Sequence, residues 1–226
     1  MISPLHLWNI SAAEAITLQK TLAAQIIHDR PLDLTAIRLV AGVDVSVKPV
    51  ANGLDMSQAA IAVLEFPSLT LVEAALAIMP TPFPYIPGLL SFREAPVILQ
   101  AVEKLTTSPD VYVFDGMGRA HPRRIGIASH VGLWLNKPTI GCGKTLLTGH
   151  YTDPPAERGA WSPLIDREEV IGAVVRTRAT AKPVYISVGH LADLPTSIEL
   201  IMRCTTKYRL PETTRAAHHA AGEFSP

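Results

Sequence analysis

Cysteine is almost absent from this sequence, with only Cys142 and Cys204 among 226 residues. A disulfide framework or a cysteine-based zinc site needs more thiols at characteristic spacings, so we expect neither. No run approaches the roughly 18 consecutive apolar residues that a membrane-spanning helix requires. The N-terminal stretch MISPLHLWNISAAE also lacks the basic start and apolar run of a signal peptide. We therefore expect a cytoplasmic protein with reduced thiols and no membrane partner.

Net charge is also absent, since 20 basic residues balance 20 acidic ones. The balance is uneven along the chain, because five basic residues and no acidic residue lie between Gly116 and His150. A neutral protein can present a basic face to nucleic acid when its acids lie elsewhere. The same excess can arise by chance in a glycine-rich core region. Charge alone therefore decides neither for nor against a nucleic-acid partner.

Hydrophobic residues make up 48% of the chain, which is long enough for a real core. Without repeats or linkers, we expect one domain over residues 1–226, with a partly ordered tail from Thr213. Periodicity predicts helices from the capping box at Ser11 to Pro31 and at 95–105, 124–135 and 195–203. It predicts strands at 37–47, 58–66, 71–79, 110–116, 139–142, 169–177 and 183–188, with a turn at 51–55. The first three strands form a meander, and the alternation that follows favours an α/β fold with a mixed sheet.

Two acidic residues interrupt strands that are otherwise apolar. Asp44 lies inside the strand at 37–47, and Asp115 ends the strand at 110–116. A buried carboxylate is costly unless it is paired, hydrogen-bonded or bound to a metal. One such acid could pair with a buried arginine, but two on two core strands favour a metal site, because ligands gather at the carboxyl ends of such strands.

Glu94 is a third candidate metal ligand and has two interpretations. The segment Ser91-Phe-Arg-Glu94 has the spacing of a capping box, in which the glutamate would bond the Ser91 amide. Pro96, however, is favoured at the first position of a helix. A helix that starts near Pro96 leaves Glu94 in front of it and free to face the sheet, and we favour this interpretation.

Two segments offer positive groups to a phosphate. Gly141-Cys-Gly-Lys144-Thr145 is similar to the end of a P-loop, but position 138 is proline where that motif needs glycine, which argues against nucleotide hydrolysis by a P-loop mechanism. A lysine at a strand end still supplies charge to a phosphate. The turn at His121 and Arg123 leads into a predicted helix, and helix N-termini and arginines favour phosphate as well.

Seven segments, in order along the chain, make the sequence similar to the endonuclease V family, deoxyinosine-specific nucleases with a ribonuclease H-like fold. They are Ala41–Ser46, Pro84–Glu94 (PYIPGLLSFRE), Asp115–Arg123 (DGMGRAHPR), Gly126–Gly132, Gly141–Lys144, Val188–His190 and Thr214–His218. The second and third segments are the most specific. The chain departs from the family pattern at Gly143, where alanine is usual, and in the His218–His219 doublet.

The resemblance implies a ribonuclease H-like α/β fold, with a central mixed sheet flanked by helices. It implies hydrolysis of the second phosphodiester bond 3′ to deoxyinosine in DNA, leaving 3′-hydroxyl and 5′-phosphate ends. Mg²⁺ is the implied cofactor, with Mn²⁺ as a substitute, and hard oxygen ligands suit Mg²⁺. The implied catalytic residues are the metal ligands Asp44, Glu94, Asp115 and His218, together with Lys144 beside the scissile phosphate.

Recognition of the base requires a nucleotide that is flipped or displaced from its strand. The segment PTPFPYIPG at 80–88 cannot be helical, because its prolines stiffen it. The resemblance implies that it presents a wedge to the DNA, formed by Pro84, Tyr85, Ile86 and Pro87. Tyr85 could instead be a surface aromatic that packs on the prolines. By analogy with the family, the base pocket is lined by Gly88, Leu90, Gly116, His121, Gly141 and Leu147.

Other functions remain alternatives to a DNA-repair nuclease. The intact carboxylates argue against a catalytically silent inosine-binding protein, and the PYIPG and DGxGxxHPR segments argue against a ribonuclease H-like nuclease for another DNA structure. An inosine-specific endoribonuclease stays open, because some relatives prefer RNA. We expect a monomer whose partner is inosine-containing DNA.

Overall fold

The computed structural model describes residues 4–49 and 55–222, so most of the predicted turn at 51–55 lies outside the described residues. The strands are β1 (Leu39–Pro49), β2 (Asp55–Glu65), β3 (Leu71–Pro80), β4 (Val111–Phe114), β5 (Thr139–Gly143), β6 (Trp161–Asp166), β7 (Glu169–Val175) and β8 (Val184–His190). The helices are α1 (Ala12–Ala23), α2 (Leu90–Val102), α3 (Ile127–Leu135), α4 (Leu194–Arg203) and α5 (Glu212–Gly222). These eight strands form one sheet, in the order β3-β2-β1-β4-β5-β8-β7-β6.

The sheet is mixed, as the sequence predicts. Strands β1, β2 and β3 form the antiparallel meander, whereas β4 runs parallel to β1 and β5 runs parallel to β4. The core strands are apolar on both sides because helices cover both faces. Helices α2 and α3 pack on one face, and α4 and α5 pack on the other. The predicted mixed α/β fold is confirmed.

The start of α2 contradicts the prediction. The helix begins at Leu90, so Pro96 is inside it and Glu94 lies on the helix, not in front of it. The capping-box alternative is also wrong, because the N-cap residue is Leu89 and makes no side-chain cap bond. The Ser91 hydroxyl is instead 2.8 Å from Nδ1 of the buried His130. The prediction relied on the preference of proline for the first position of a helix. In this protein α2 instead contains Pro96 in its interior and lacks the backbone hydrogen bond that a proline cannot donate.

Helix α1 begins with the predicted capping box but is shorter than predicted. The Ser11 amide donates to the Glu14 carboxylate at 2.7 Å, and the Glu14 amide donates to the Ser11 hydroxyl at 3.3 Å. The helix ends at Ala23, well before Pro31. Ile26 lies beyond the end of the helix but still packs in a small apolar cluster. Its apolar side chain is therefore explained by burial and does not require a helix at that position.

Two elements were missed, the edge strand β6 and helix α5. Residues 213–222 of the tail that was expected to be partly ordered belong to α5, which packs on β1 and β2. Gly42 on β1 permits this packing, because a Cβ there would lie 1.9 Å from the Thr213 carbonyl oxygen. In the described part of the chain, no helix has the length and hydrophobicity needed to cross a membrane.

Candidate active site

Asp44 and Asp115 come together because β1 and β4 are parallel neighbours. Val43 pairs with Phe114, so the next residue on each strand is an aspartate. Their side chains are only 12% and 13% exposed. Nδ1 of His218, on α5, lies 2.6 Å from Oδ2 of Asp44. The three side chains each offer one ligand atom within 4.8 Å of the others, so they could hold a metal ion.

Glu94 approaches this group from α2 but is not part of the compact set of three. Burial raises the pKa of its carboxyl to about 8, and the negative charges of Asp44 and Asp115 add to the increase, while Arg93 opposes it. The pKa of Asp44 is raised too, mainly by burial and also by Asp115, against the hydrogen bond from His218. These carboxylates repel one another in a partly dry site. A divalent cation would neutralise them, and an oxygen-rich donor set fits Mg²⁺.

We expect Glu94→Gln to stabilise the metal-free protein at alkaline pH. A carboxyl whose pKa rises from 4.5 to about 8 on folding costs stability as the pH increases between these values. Thermal melts in EDTA should therefore show a higher melting temperature for Glu94→Gln than for wild type at pH 8–9, and little difference at pH 4.5. The matched control is Glu103→Gln, an exposed residue at the C-cap of the same helix. If Glu94→Gln melts lower than wild type at pH 8–9, the carboxylate stabilises the fold and the site is misassigned.

Lys144 follows β5 and forms an ion pair with Oδ2 of Asp115. Its main chain is held by Arg209, whose Nη2 donates to the Lys144 carbonyl oxygen at 2.7 Å. Since β4 and β5 are parallel neighbours, Asp115 and Lys144 follow their carboxyl ends and lie on the same side of the sheet. A positive ammonium group thus lies at the border of the acidic cluster, where it can face a phosphate.

A cavity of about 430 Å³ opens beside Asp115 and Lys144. It is lined by five of the six residues predicted for the base pocket, namely Gly88, Leu90, Gly116, His121 and Leu147. Gly141 is not among the lining residues. It lies beneath the loop after β4, where a Cβ would be 2.5 Å from the Gly118 nitrogen, so its role is close packing of that loop. Sequence reasoning missed other lining residues, among them Gln19, Met117, Ile125, Gly143 and Leu146.

Three side chains contact the Gly88 carbonyl oxygen and so hold this part of the cavity wall in place. The oxygen accepts hydrogen bonds from Gln19 Nε2 at 3.0 Å and Arg123 Nη2 at 2.7 Å, and His121 Nε2 lies 3.1 Å away. Burial and the nearby charges of Arg123 and Arg124 lower the pKa of His121 to about 4, so its ring is neutral. Its Nδ1 accepts the Arg123 amide at 3.2 Å, which leaves the proton on Nε2. No sequence signal points to Gln19, which belongs to α1.

Tyr85 stands at the rim of the cavity and is 70% exposed. Phe83 and Leu89 are buried against α2 on either side of it, and Ile86 packs on the same cluster. The loop is thus anchored at both ends while its tyrosine projects outwards. Pro84 precedes Tyr85 and Pro87 follows two residues after it; both are exposed, and prolines restrict the loop backbone.

The basic stretch at 116–150 does not form an open basic face. Arg119 and Arg124 both pair with Glu169, and Arg124 also pairs with Asp166. These acids belong to the β6–β7 hairpin, more than 40 residues away in sequence, so the local charge count could not include them. With Lys144 paired to Asp115, three of the five basic residues therefore have a carboxylate partner within the fold.

Comparison with known proteins agrees with this geometry. A sequence model of the endonuclease V family matches residues 20–219. The chain is 53% identical to endonuclease V of Trichormus variabilis over 216 residues, which cover 96% of each protein.

Two solved structures are also similar. The crystal structure of endonuclease V from Bacillus subtilis superposes with a TM-score of 0.93 at 31% identity, covering 98% of this chain and 95% of that one. Endonuclease V of Ciona intestinalis, solved with a DNA that contains an inosine followed by a ribo-adenosine, gives a TM-score of 0.79 at 26% identity, over 93% of this chain and 96% of that one. These neighbours confirm the ribonuclease H-like fold. With a family match over most of its length and a relative at more than half identity, the chain belongs to the endonuclease V family.

Proposed function

We propose that this endonuclease hydrolyses the second phosphodiester bond on the 3′ side of deoxyinosine in DNA. The observation that carries the proposal is the position of the acidic cluster at the wall of the base-sized cavity. Asp115, a member of the cluster, and its partner Lys144 both line that cavity. A base bound in the cavity therefore brings the adjoining backbone to the carboxylates. The inosine-containing DNA in the Ciona intestinalis complex supports the same substrate.

Mg²⁺, or Mn²⁺ in its place, would be held by Asp44 and Asp115, with Glu94 and His218 completing the site. When bound, the cation supplies Lewis acidity and lowers the pKa of a bound water. Asp44 orients His218 through their 2.6 Å contact. Lys144 would exchange its ion pair with Asp115 for a contact with the scissile phosphate and stabilise negative charge that develops there.

The cavity would read the base through its backbone and a fixed imidazole. Gly88 and Gly116 lack side chains, so the edge of hypoxanthine can approach their backbone. The Gly88 carbonyl and the Gly116 amide already have partners, so the Gly88 amide and the Gly116 carbonyl are the groups offered to the base. Leu90, Ile125 and Leu147 supply apolar walls. His121 is neutral, so it would bond the base without adding charge if Nε2 exchanged its contact with the Gly88 carbonyl oxygen for one with the base.

One cleavage panel tests this function. Labelled single-stranded and duplex DNA and RNA, each with one inosine or a matched adenosine, are incubated with Mg²⁺ or EDTA. We expect cleavage of inosine DNA in Mg²⁺ only, at the second bond on the 3′ side. Cleavage confined to inosine RNA would replace the proposal with an endoribonuclease. No inosine-dependent cleavage of any strand would overturn both.

The chain as a whole is proposed to be a single nuclease domain that acts as a monomer in the cytoplasm. All the strands in residues 4–49 and 55–222 belong to one sheet, which supports one domain. Both cysteines are buried and free, which suits a reducing compartment.

Tyr85→Ala is expected to weaken recognition of inosine in duplex DNA by about ten- to a hundredfold. The ring would replace base stacking that is lost when the nucleotide is displaced, and such stacking is worth ~1–3 kcal/mol per base. The loss should be smaller on single strands, where less unstacking occurs. Cleavage rates of matched duplex and single-stranded substrates measure it.

Tyr85→Phe is the matched control and should keep most activity, since it retains the ring. Thermal melts should show little change in either variant, because the side chain is exposed. Equal losses on the two substrates, or a much lower melting temperature for Tyr85→Ala, would show that Tyr85 supports the loop and is not a wedge.

A further inference from the structure

A second cavity, of about 710 Å³, lies next to the base cavity. We call it the Arg176 groove. Its charged and aromatic lining residues include Lys144, Tyr151, Arg176, Lys182, Tyr185 and Arg209. Lys144, Thr145 and Leu146 line both cavities, so this short segment separates them. A strand with its base in the first cavity that passes across Lys144 therefore continues into the groove.

Three cations of the groove, Arg176, Lys182 and Arg209, have no carboxylate partner among the described residues, whereas Lys144 is paired with Asp115. The Arg176 guanidinium donates to the carbonyl oxygens of Pro154 and Ala181, at 3.1 and 3.0 Å. Arg209 likewise donates to main-chain carbonyl oxygens, and its Nε is buried without a hydrogen-bond partner. In the described part of the chain, no ion pair involves Arg176, Lys182 or Arg209, in contrast to Arg119 and Arg124. Carbonyl partners fix a guanidinium in place but leave its charge available to an anion.

One acid, Asp153, also lines the groove, against the three unpaired cations Arg176, Lys182 and Arg209, since the fourth, Lys144, is paired with Asp115. The groove is thus positive on balance. Its wall includes two tyrosines whose rings lie 5.8 Å apart, edge to face, with their hydroxyl groups 3.1 Å apart. Fixed positive groups beside aromatic rings are the combination that binds the backbone and bases of a single strand.

We propose that the Arg176 groove binds the DNA strand on the 3′ side of the scissile bond. Arg176 and Lys182 contact its phosphates. The half-buried Tyr151 contacts a sugar or base, and the buried Tyr185 holds its ring in place. This inference rests on the proposed function, because Lys144 marks the place of the scissile phosphate. Arg209 acts as a positioning residue, since it holds the Lys144 carbonyl between the two cavities. The groove then fixes the bond to be cut by holding the strand beyond it.

The test uses single-stranded inosine oligonucleotides that end one, three or six nucleotides beyond the cleaved bond. For wild type, KM should fall about tenfold from the shortest to the longest strand, with kcat little changed. The double variant Arg176→Gln/Lys182→Gln should raise KM about tenfold on the longest strand and less than twofold on the shortest. The double variant Arg30→Gln/Arg203→Gln removes two exposed charges elsewhere and should match wild type on all three strands.

Fluorescence anisotropy of the same strands in Ca²⁺, which blocks turnover, gives an independent reading. Wild type should bind the longest strand about tenfold more tightly than the shortest, and the groove variant should lose this difference. Tyr151→Ala, whose side chain is half-buried, should lose part of it and serves if the arginine variant does not fold.

Length-independent KM and Kd in wild type, or an equal loss on all strands in the variant, would overturn the groove assignment while inosine cleavage stands. If wild type cleaves no inosine strand, the proposed function fails, and the anisotropy series still decides whether the groove binds the 3′ side of a strand.

Discussion

Replacement of Asp44 or Asp115 by alanine is expected to reduce Mg²⁺-dependent cleavage of inosine DNA by about a thousandfold or more. Removal of a single preorganised group at a developing charge costs about 10²–10³ in rate, and loss of a metal ligand also weakens binding of the cation itself. The two aspartates meet at the parallel pairing of β1 and β4, so neither can be replaced by a neighbour. Steady-state cleavage over a range of Mg²⁺ concentrations measures the loss.

Asp110→Ala is the matched control, since Asp110 precedes the same strand β4 at its opposite end. Its carboxylate accepts the amides of Arg38 and Leu39 at 2.8 and 2.9 Å, which is a structural role. This variant should lose melting temperature but keep kcat. The Asp44 and Asp115 variants should lose kcat but keep their melting temperature, because the two carboxylates are crowded in the metal-free fold. Near wild-type turnover of either one in Mg²⁺ would show that the metal site is elsewhere.

Lys144→Ala is the second change with a large expected effect, about a hundred- to a thousandfold in kcat. The ammonium group is paired with Asp115 in the absence of substrate. Exchanging this partner for a phosphate should therefore contribute little binding free energy in the ground state. It should act mainly as charge develops in the transition state, which affects kcat more than affinity. Single-turnover rates in Mg²⁺ and Kd values for inosine DNA in Ca²⁺ separate the two effects.

Lys137→Ala is the comparison for this variant, because Lys137 precedes β5 at the end away from the site and contacts Ser108. Its kcat and Kd should equal those of wild type. A large increase in Kd for Lys144→Ala with unchanged kcat would mean that Lys144 anchors the DNA backbone and takes no part in the chemical step.

The core of the site could be predicted from the sequence because Asp44 and Asp115 violate a strong rule. Apolar strands rarely carry a carboxylate without a partner, and parallel pairing brings such residues to one edge. The meander was predictable for a related reason, since its strands are mainly apolar runs separated by turn-forming residues. These features depend on local sequence and elementary strand geometry.

Other features depend on contacts between distant segments. Arg119 and Arg124 appear as free charges in sequence, yet acids of the β6–β7 hairpin neutralise them. Helix α5 is rich in alanine, histidine and threonine and has little apolar pattern, so its docking against Gly42 was invisible. Glu94 was assigned to the segment before α2 because helix propensity disfavours Pro96 inside a helix, and tertiary packing overrode that preference.

The account depends most directly on where a divalent cation binds relative to the base. Crystals of the protein grown with Mn²⁺ and the cleaved inosine strand, measured at the manganese absorption edge, locate the cation by its anomalous scattering. The account predicts a peak about 2.1 Å from a carboxylate oxygen of both Asp44 and Asp115, with hypoxanthine in the cavity beside Gly88. A manganese peak away from both aspartates, or hypoxanthine outside that cavity, would contradict it.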